Sequence, residues 1–459
     1  MRRLAPAFLL LVLALPAARA SGSGADADWG RFGYDAARHD ASPDATITAA
    51  NVHKLRRLRV QLDGTVDSSP IYVAKGVRGH DAFVVTTTYG KTEAIDAASG
   101  HVLWTYTPPT YAKLAGTAQI TNATPILSTD RTAVYAAAPD GMIRKLRLRN
   151  GSVVWSRSIT KDPTHEKITS SLNISRGLVI ATTGGYIGDA PPYQGHVVTM
   201  SERTGAIVHV WNSLCSNRSG LIKPSTCDAS DSAIWSRNGA AVDPATGDLV
   251  VATGNAPWNG STDWGDSTLV LSPDASRLLR HWTPADQQHL NDSDLDLGST
   301  SPGLLAGGYA VQGGKDGKIR LLDLQKLPGV NTVTGGELQV VPTPGGQLMF
   351  TAPAVWKGTW VFVATGGGTQ AWRLRGGRLH SVWSNTTNGT SPVVAGTLLY
   401  VGGDGVLNVY AAATGKLLDS LTTGAIHWQS PIVAAGRVAI AEGNANDHAT
   451  TGVLDIYRL

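Results

Sequence analysis

Cysteine, charge and large core side chains are all scarce in this chain. Of its 459 residues only two are cysteine, four methionine and five phenylalanine, and Asp, Glu, Lys and Arg together make up 16%. There is no CxxCH, so covalent haem attachment is excluded. Two sulfurs, Cys215 and Cys227, with no nearby histidine make an incomplete tetrahedral zinc site. In an exported chain such a pair reads instead as a local disulfide closing a loop. Basic residues are scattered apart from KLRRLR at 54–59, and no basic face with interleaved aromatics appears, which argues against nucleic acid. That run reads as a solvated strand edge. Long apolar runs are missing too, save one in MRRLAPAFLLLVLALPAARA (1–20). Two arginines, an apolar run from Leu4 to Leu15 and a closing Ala18-Arg19-Ala20 make a secretory signal, too short for a membrane span. The expectation is export to the periplasm or beyond, with no membrane span. Cleavage would lower the formal charge from +4 to about +1.

What the chain has in quantity is glycine, 52 residues, and short β-rich runs bounded by turn signals. Stacking the runs exposes a repeat. SSPIYV…DAFVVTTTYGKTEAIDAASGHVLW (68–104) and TSPVVAGTLLYVGGDGVLNVYAAATGKLLDSL (390–421) share one order: small residue plus Pro, apolar strand, turn, apolar strand, Gly-rich turn, alternating strand, polar-Gly turn, final strand. Further units start at 123–125, near Ser170, near Trp235, and at Ser301-Pro302, Ala352-Pro353 and Ser430-Pro431; most carry a Trp on the last strand (Trp104, Trp155, Trp211, Trp282, Trp383). A four-stranded antiparallel unit cannot bury both faces alone, whereas radial stacking covers each with its neighbour. The fold expected is all-β: a single eight-bladed propeller over 55–459, with seven blades as the alternative count. The last unit (425–459) lacks its outermost strand, and LRRLRVQL (55–62) is spare, so the second is expected to close the first. Residues 21–54 form an N-terminal segment.

Several stretches resemble the pyrroloquinoline-quinone (PQQ) dehydrogenases, quinoproteins of the PQQ-like repeat family. They are DWGRFGYDAARHDASPDATITAANVHKL (28–55), the docking-type units DAASGHVLW and NGSVVW, SAIWSRNGAAVDPATGDLVVATGNAPWNG (232–260), LDLGSTSP and GGKDGKIRLLD (313–323). The repeats also occur in non-enzymatic propellers of the outer-membrane assembly-scaffold type. The resemblance implies PQQ at the propeller axis with calcium bridging protein and cofactor. It makes Asp296 the catalytic base and a metal neighbour, Asn255 a calcium ligand, Lys315 the contact to a quinone oxygen, and Trp235 the surface under the cofactor. Tyr186 and Ile187 stand where the family has a metal-ligating Glu, leaving Asp189 as the nearby carboxylate. The Arg expected before the second inner strand is missing from ITNATP (120–125).

Each candidate also has a plain structural reading. Gly-Asn at 254–255 suits a turn, GKDG at 314–317 a solvated hairpin, Trp235 core packing, and His281 and His427 core or rim positions. Asp292 and Asp294 read most simply as solvated loop residues. Asp296 differs: six residues before the Pro that opens each inner strand, other units carry Gly64, Gln119, Gln347, Thr386 and Ala425, so the acid is not part of the repeat. Two functions follow. One is a quinoprotein oxidising a small-molecule alcohol or sugar with PQQ and calcium and passing electrons to a separate acceptor. The other is a non-catalytic propeller binding protein or polysaccharide. Convergence of Asp189, Asn255 and Asp296 is the discriminating geometry.

Overall fold

A computed structural model of the chain describes residues 28–459; the expected signal at 1–20 lies outside the described residues. The strands fall into eight sheets, six of four strands and two of five. In chain order the blades span 71–106, 126–158, 173–212, 241–282, 303–342, 354–385, 390–422 and 432–458. Eight rather than seven is therefore the count. Blade 8 is completed by Arg56–Leu62, which pairs antiparallel with Gly452–Arg458 from Arg56↔Arg458 to Leu62↔Gly452. KLRRLR thus runs into the outer edge strand of that blade, but its charges are not simply solvated. Arg57 donates to both oxygens of Asp455 at 2.8 and 2.7 Å and to Glu442 at 2.8 Å.

The docking tryptophans explain how neighbouring blades interlock. Trp104 of blade 1 donates its indole N–H to Leu148 O of blade 2 at 2.8 Å, and Trp383 of blade 6 donates to Ala412 O of blade 7 at 2.9 Å. Each ring lies flat on a turn glycine. A Cβ added at Gly151 would sit 2.6 Å from the Trp104 ring, and at Gly415 2.5 Å from that of Trp383. Both glycines also have positive φ, so this turn needs glycine for conformation and for clearance. The NGSVVW and ATGKLL motifs are read here as sockets for the preceding blade.

Residues 29–42 run across the end of the central channel. Gly30 accepts from Leu127 N at 2.8 Å in blade 2, and Ala36 accepts from Val242 N at 2.8 Å in blade 4. Arg38 donates to Ser171 O and Leu172 O at the start of blade 3 (3.1 and 2.7 Å), whereas Asp40 O accepts from Val394 N of blade 7 at 2.8 Å. Blades 3 and 7 face each other across an eight-membered ring, so the segment crosses the axis. Ala41–Ser42 then adds a short parallel strand to blade 7.

Candidate functional site

Inner strands begin, and second strands end, at the same edge of an antiparallel blade. Blade-entry loops and the hairpins between second and third strands therefore meet at one end of the channel, away from the segment 29–42. They enclose a cavity of about 430 Å³. Trp235, Asn255, Asp296, Lys315 and Asp189 all line it. The stretch read as a loop at 290–303 holds two helical turns, Gln287–Asp292 and Leu297–Ser299, and Asp296 sits between them.

Asp296 is tightly held. Its Oδ1 accepts from Asn255 N at 2.8 Å and its Oδ2 lies 2.6 Å from Lys315 Nζ, with 13% of the side chain exposed. Its own carbonyl accepts from Lys315 N at 3.0 Å. Gly254 makes room for the carboxylate, since a Cβ there would lie 2.2 Å from Asp296 Oδ1. Gly-Asn at 254–255 is thus more than a turn. Its glycine admits the acid and its asparagine amide binds it. Asp294 is an exposed turn residue, as expected of a solvated loop acid, with 70% of its side chain accessible, yet it also touches the set. It accepts from Asn255 Nδ2 at 3.0 Å and pairs with Lys315 at 3.0 Å. Among the described residues Asp292 accepts from Gln288 Nε2 at 2.8 Å within its own helical turn.

Lys315 is no solvated hairpin residue either, because 14% of its side chain is exposed. Burial opposes its charge, but the carboxylates of Asp296 and Asp294 outweigh burial and raise its pKa above the ordinary lysine value. Its ammonium lies 5.6 Å from the Trp235 ring centre. Trp235 in turn faces Phe350 at 6.4 Å and Trp428 at 6.2 Å, which stack on each other at 4.8 Å. His427 stacks on Trp428 at 4.0 Å and binds Asp67 at 2.9 Å, a rim position, while His281 packs against Trp264 in the core. Cys215 and Cys227 form the disulfide.

The sequence reading missed Lys167, Arg237, Phe350 and Trp428, all of which line the cavity. The aromatic walls and three cations (Lys167, Arg237, Lys315) fit PQQ, a flat tricyclic quinone bearing three carboxylates. The donor set does not fit a protein-built calcium cage. Calcium takes six to eight oxygens. Asn255 Oδ1 is buried without a hydrogen-bond partner among the described residues, and Asp296 is beside it. Asp189, however, accepts from the Tyr193 hydroxyl at 3.0 Å, and burial raises its pKa. Among the described residues no three His, Cys, Asp or Glu groups come together as a metal site.

Comparison with known proteins bears on the whole architecture. The family model described as outer membrane protein assembly factor BamB matches residues 41–248, ending before Asn255, Asp296 and Lys315. Quinohemoprotein alcohol dehydrogenase ADH IIB of Pseudomonas putida is 27% identical over 291 residues, 57% of this chain and 40% of that protein. The 1-butanol dehydrogenase (cytochrome c) of Thauera butanivorans is 24% identical over 349 residues, 68% of this chain and 49% of its own. The structure of quinohemoprotein alcohol dehydrogenase from Comamonas testosteroni superposes with a TM-score of 0.71 at 17% identity, covering 94% of this chain and 80% of that one. The chain is an eight-bladed propeller similar in fold to quinoprotein alcohol dehydrogenases. It spans less than half the length of either curated relative it matches. Among the described residues of this propeller, no helix is long and apolar enough to cross a membrane.

Proposed function

We propose that the chain is an exported, periplasmic or extracellular oxidoreductase that holds PQQ in its central cavity and oxidises an alcohol or sugar. The observation that carries this reading is the placement of Asp296. A largely buried carboxylate, fixed by Asn255 N–H and Lys315, faces a cavity walled by Trp235. When bound, the quinone supplies the acceptor for the two electrons and one hydrogen that leave the alcohol carbon. Asp296 takes the hydroxyl proton at its Oδ2, the oxygen now bonded to Lys315, as a general base within hydrogen-bond reach. Lys315 and Asn255 hold that carboxylate in one orientation, and Lys315 is placed to donate to a quinone oxygen. Trp235 offers a flat apolar face for the ring system, and Phe350 and Trp428 exclude water from it. Electrons then leave to a separate acceptor.

The BamB-type match over blades 1–3 and the first strand of blade 4 favours a scaffold as the second reading. Titration of purified protein with PQQ, followed by cofactor absorbance and dye reduction with a panel of alcohols and sugars, separates the two. The enzyme reading expects binding with turnover in wild type, and Asp296→Asn that still binds but turns over roughly 10²–10⁴-fold more slowly. Failure of wild type to bind PQQ removes it in favour of the scaffold.

A further inference from the structure

The blade-2 to blade-4 side of the cavity carries charge that the proposed chemistry leaves unused. Successive side chains of a strand point opposite ways, and in the added strand Glu166–Ile168 of blade 3 this separates two buried ions. Glu166 turns to His196 at 2.9 Å, while Lys167 lines the cavity. Arg237 enters beside it from blade 4. Only 8% of Lys167 and 5% of Arg237 is exposed. The carboxylate near both is Asp67, and one of its oxygens carries every bond, while Oδ1 is buried without a hydrogen-bond partner among the described residues. Its Oδ2 binds Arg237 Nη2 at 3.0 Å, His427 Nδ1 at 2.9 Å, Asn122 Nδ2 at 3.3 Å and Ala445 N at 3.1 Å. Arg237 Nε and Asn122 Oδ1 are buried and lack any hydrogen-bond partner among the described residues. Two buried cations, one shared carboxylate and an unspent guanidinium N–H make a corner that burial penalises until an anion enters it.

We propose that Lys167 and Arg237 form a carboxylate socket that takes one acid group of the quinone cofactor. This rests on the quinoprotein reading. It places the cationic anchor that ITNATP (120–125) does not provide on the next two blades instead. The socket fixes which edge of the ring system faces Lys167 and hence which faces Asp296. It also ties binding to pH. Burial first, and Arg237 second, bring the Lys167 pKa down to about 7, with Asp67 opposing. An arriving carboxylate favours the ammonium, so binding above pH 7 takes up a proton and weakens as pH rises towards the lysine pKa of the complex.

Calorimetric titrations of the full chain test this with two probes: PQQ, and benzene-1,3,5-tricarboxylate, which has the acid groups without the quinone. Lys167→Met is expected to weaken both roughly 10–100-fold and to abolish the uptake of about one proton seen in wild type between two buffers at pH 8. Lys167→Arg is expected to restore the affinity without the proton uptake. Removal of a buried charge should leave the melting temperature of Lys167→Met no lower than wild type, so loss of fold does not confuse the result. If Lys167→Met binds PQQ within twofold of wild type, the socket is wrong and the quinoprotein reading stands. If wild type binds the tricarboxylate through Lys167 but not PQQ, the corner takes carboxylates but not those of a quinone, and the socket as proposed falls with the quinoprotein reading. Binding of neither probe overturns both.

Discussion

The seam that closes the ring gives a quantitative test of the fold. Arg57 lies between Asp455, whose side chain is fully buried, and Glu442, which is 8% exposed. Arg57→Met keeps the aliphatic bulk but leaves two carboxylates side by side. If the pair behaved as a surface ion pair the loss would be about 0–1 kcal/mol. Breaking a buried pair and stranding a charge costs about 3–5 kcal/mol, and the burial of Asp455 selects that range at pH 8. Burial, reinforced by Glu442, raises Asp455 to about 6 even with Arg57 present. A carboxyl with a raised folded-state pKa binds its proton more tightly in the native state than unfolded. Its contribution to stability is therefore largest at acid pH and is lost as pH rises through about 6. Without Arg57 that pKa rises further, and the deficit should shrink by roughly 1.4 kcal/mol for each pH unit, above about pH 6, over which the native variant but not native wild type holds the proton. Urea unfolding followed by tryptophan fluorescence at pH 8 and pH 5 reads both effects. A loss below 1 kcal/mol at pH 8, or an equal loss at the two pH values, would refute the buried-seam account.

Three further outcomes follow from the cavity. Gly254→Ala should displace the Asp296 carboxylate, whose Oδ1 lies 2.2 Å from the new Cβ, and slow PQQ-dependent dye reduction about 10²-fold with little change in melting temperature. Lys315→Met removes the ammonium from both Asp294 and Asp296 and should lower affinity for PQQ about tenfold, read by tryptophan quenching; unchanged affinity would remove Lys315 from the quinone contact. Calcium alone, titrated into the chain without quinone, should bind no tighter than about 10⁻⁴ M, in the range of weak oxygen sites. A micromolar site would show that the oxygens around Asn255 and Asp296 converge better than described.

The eight blades were legible because most repeats mark their own register, with a Pro opening the inner strand, a Trp closing the outer one, or both. Closure by residues 55–62 was legible for a related reason, since an incomplete blade and a spare strand are complementary. Asp296 stood out because it departs from that repeat at a fixed position. The same comparison failed for Asp294, Lys167 and Arg237. Asp294 looks like any loop acid until Lys315, on a different hairpin, is placed beside it. Lys167 and Arg237 lie on separate blades, and only radial packing brings their charges to one carboxylate, Asp67 on a third. Ion pairs between blades have no spacing in sequence, so no motif announces them.

The segment that crosses the axis has a consequence for the order of assembly. Residues 29–42 leave the ribosome before any blade, yet their partners include Val355 in blade 6 and Val394 in blade 7. They cannot settle until most of the chain has followed. Until they do, the ring lacks the segment that crosses one end of its channel. The Arg57–Asp455 bond, spanning 398 positions, belongs to the same late step. Contacts this distant are slow to form. Conditions that delay that step should leave a collapsed chain with its earliest strand unpaired, an exposed edge on which other chains can add.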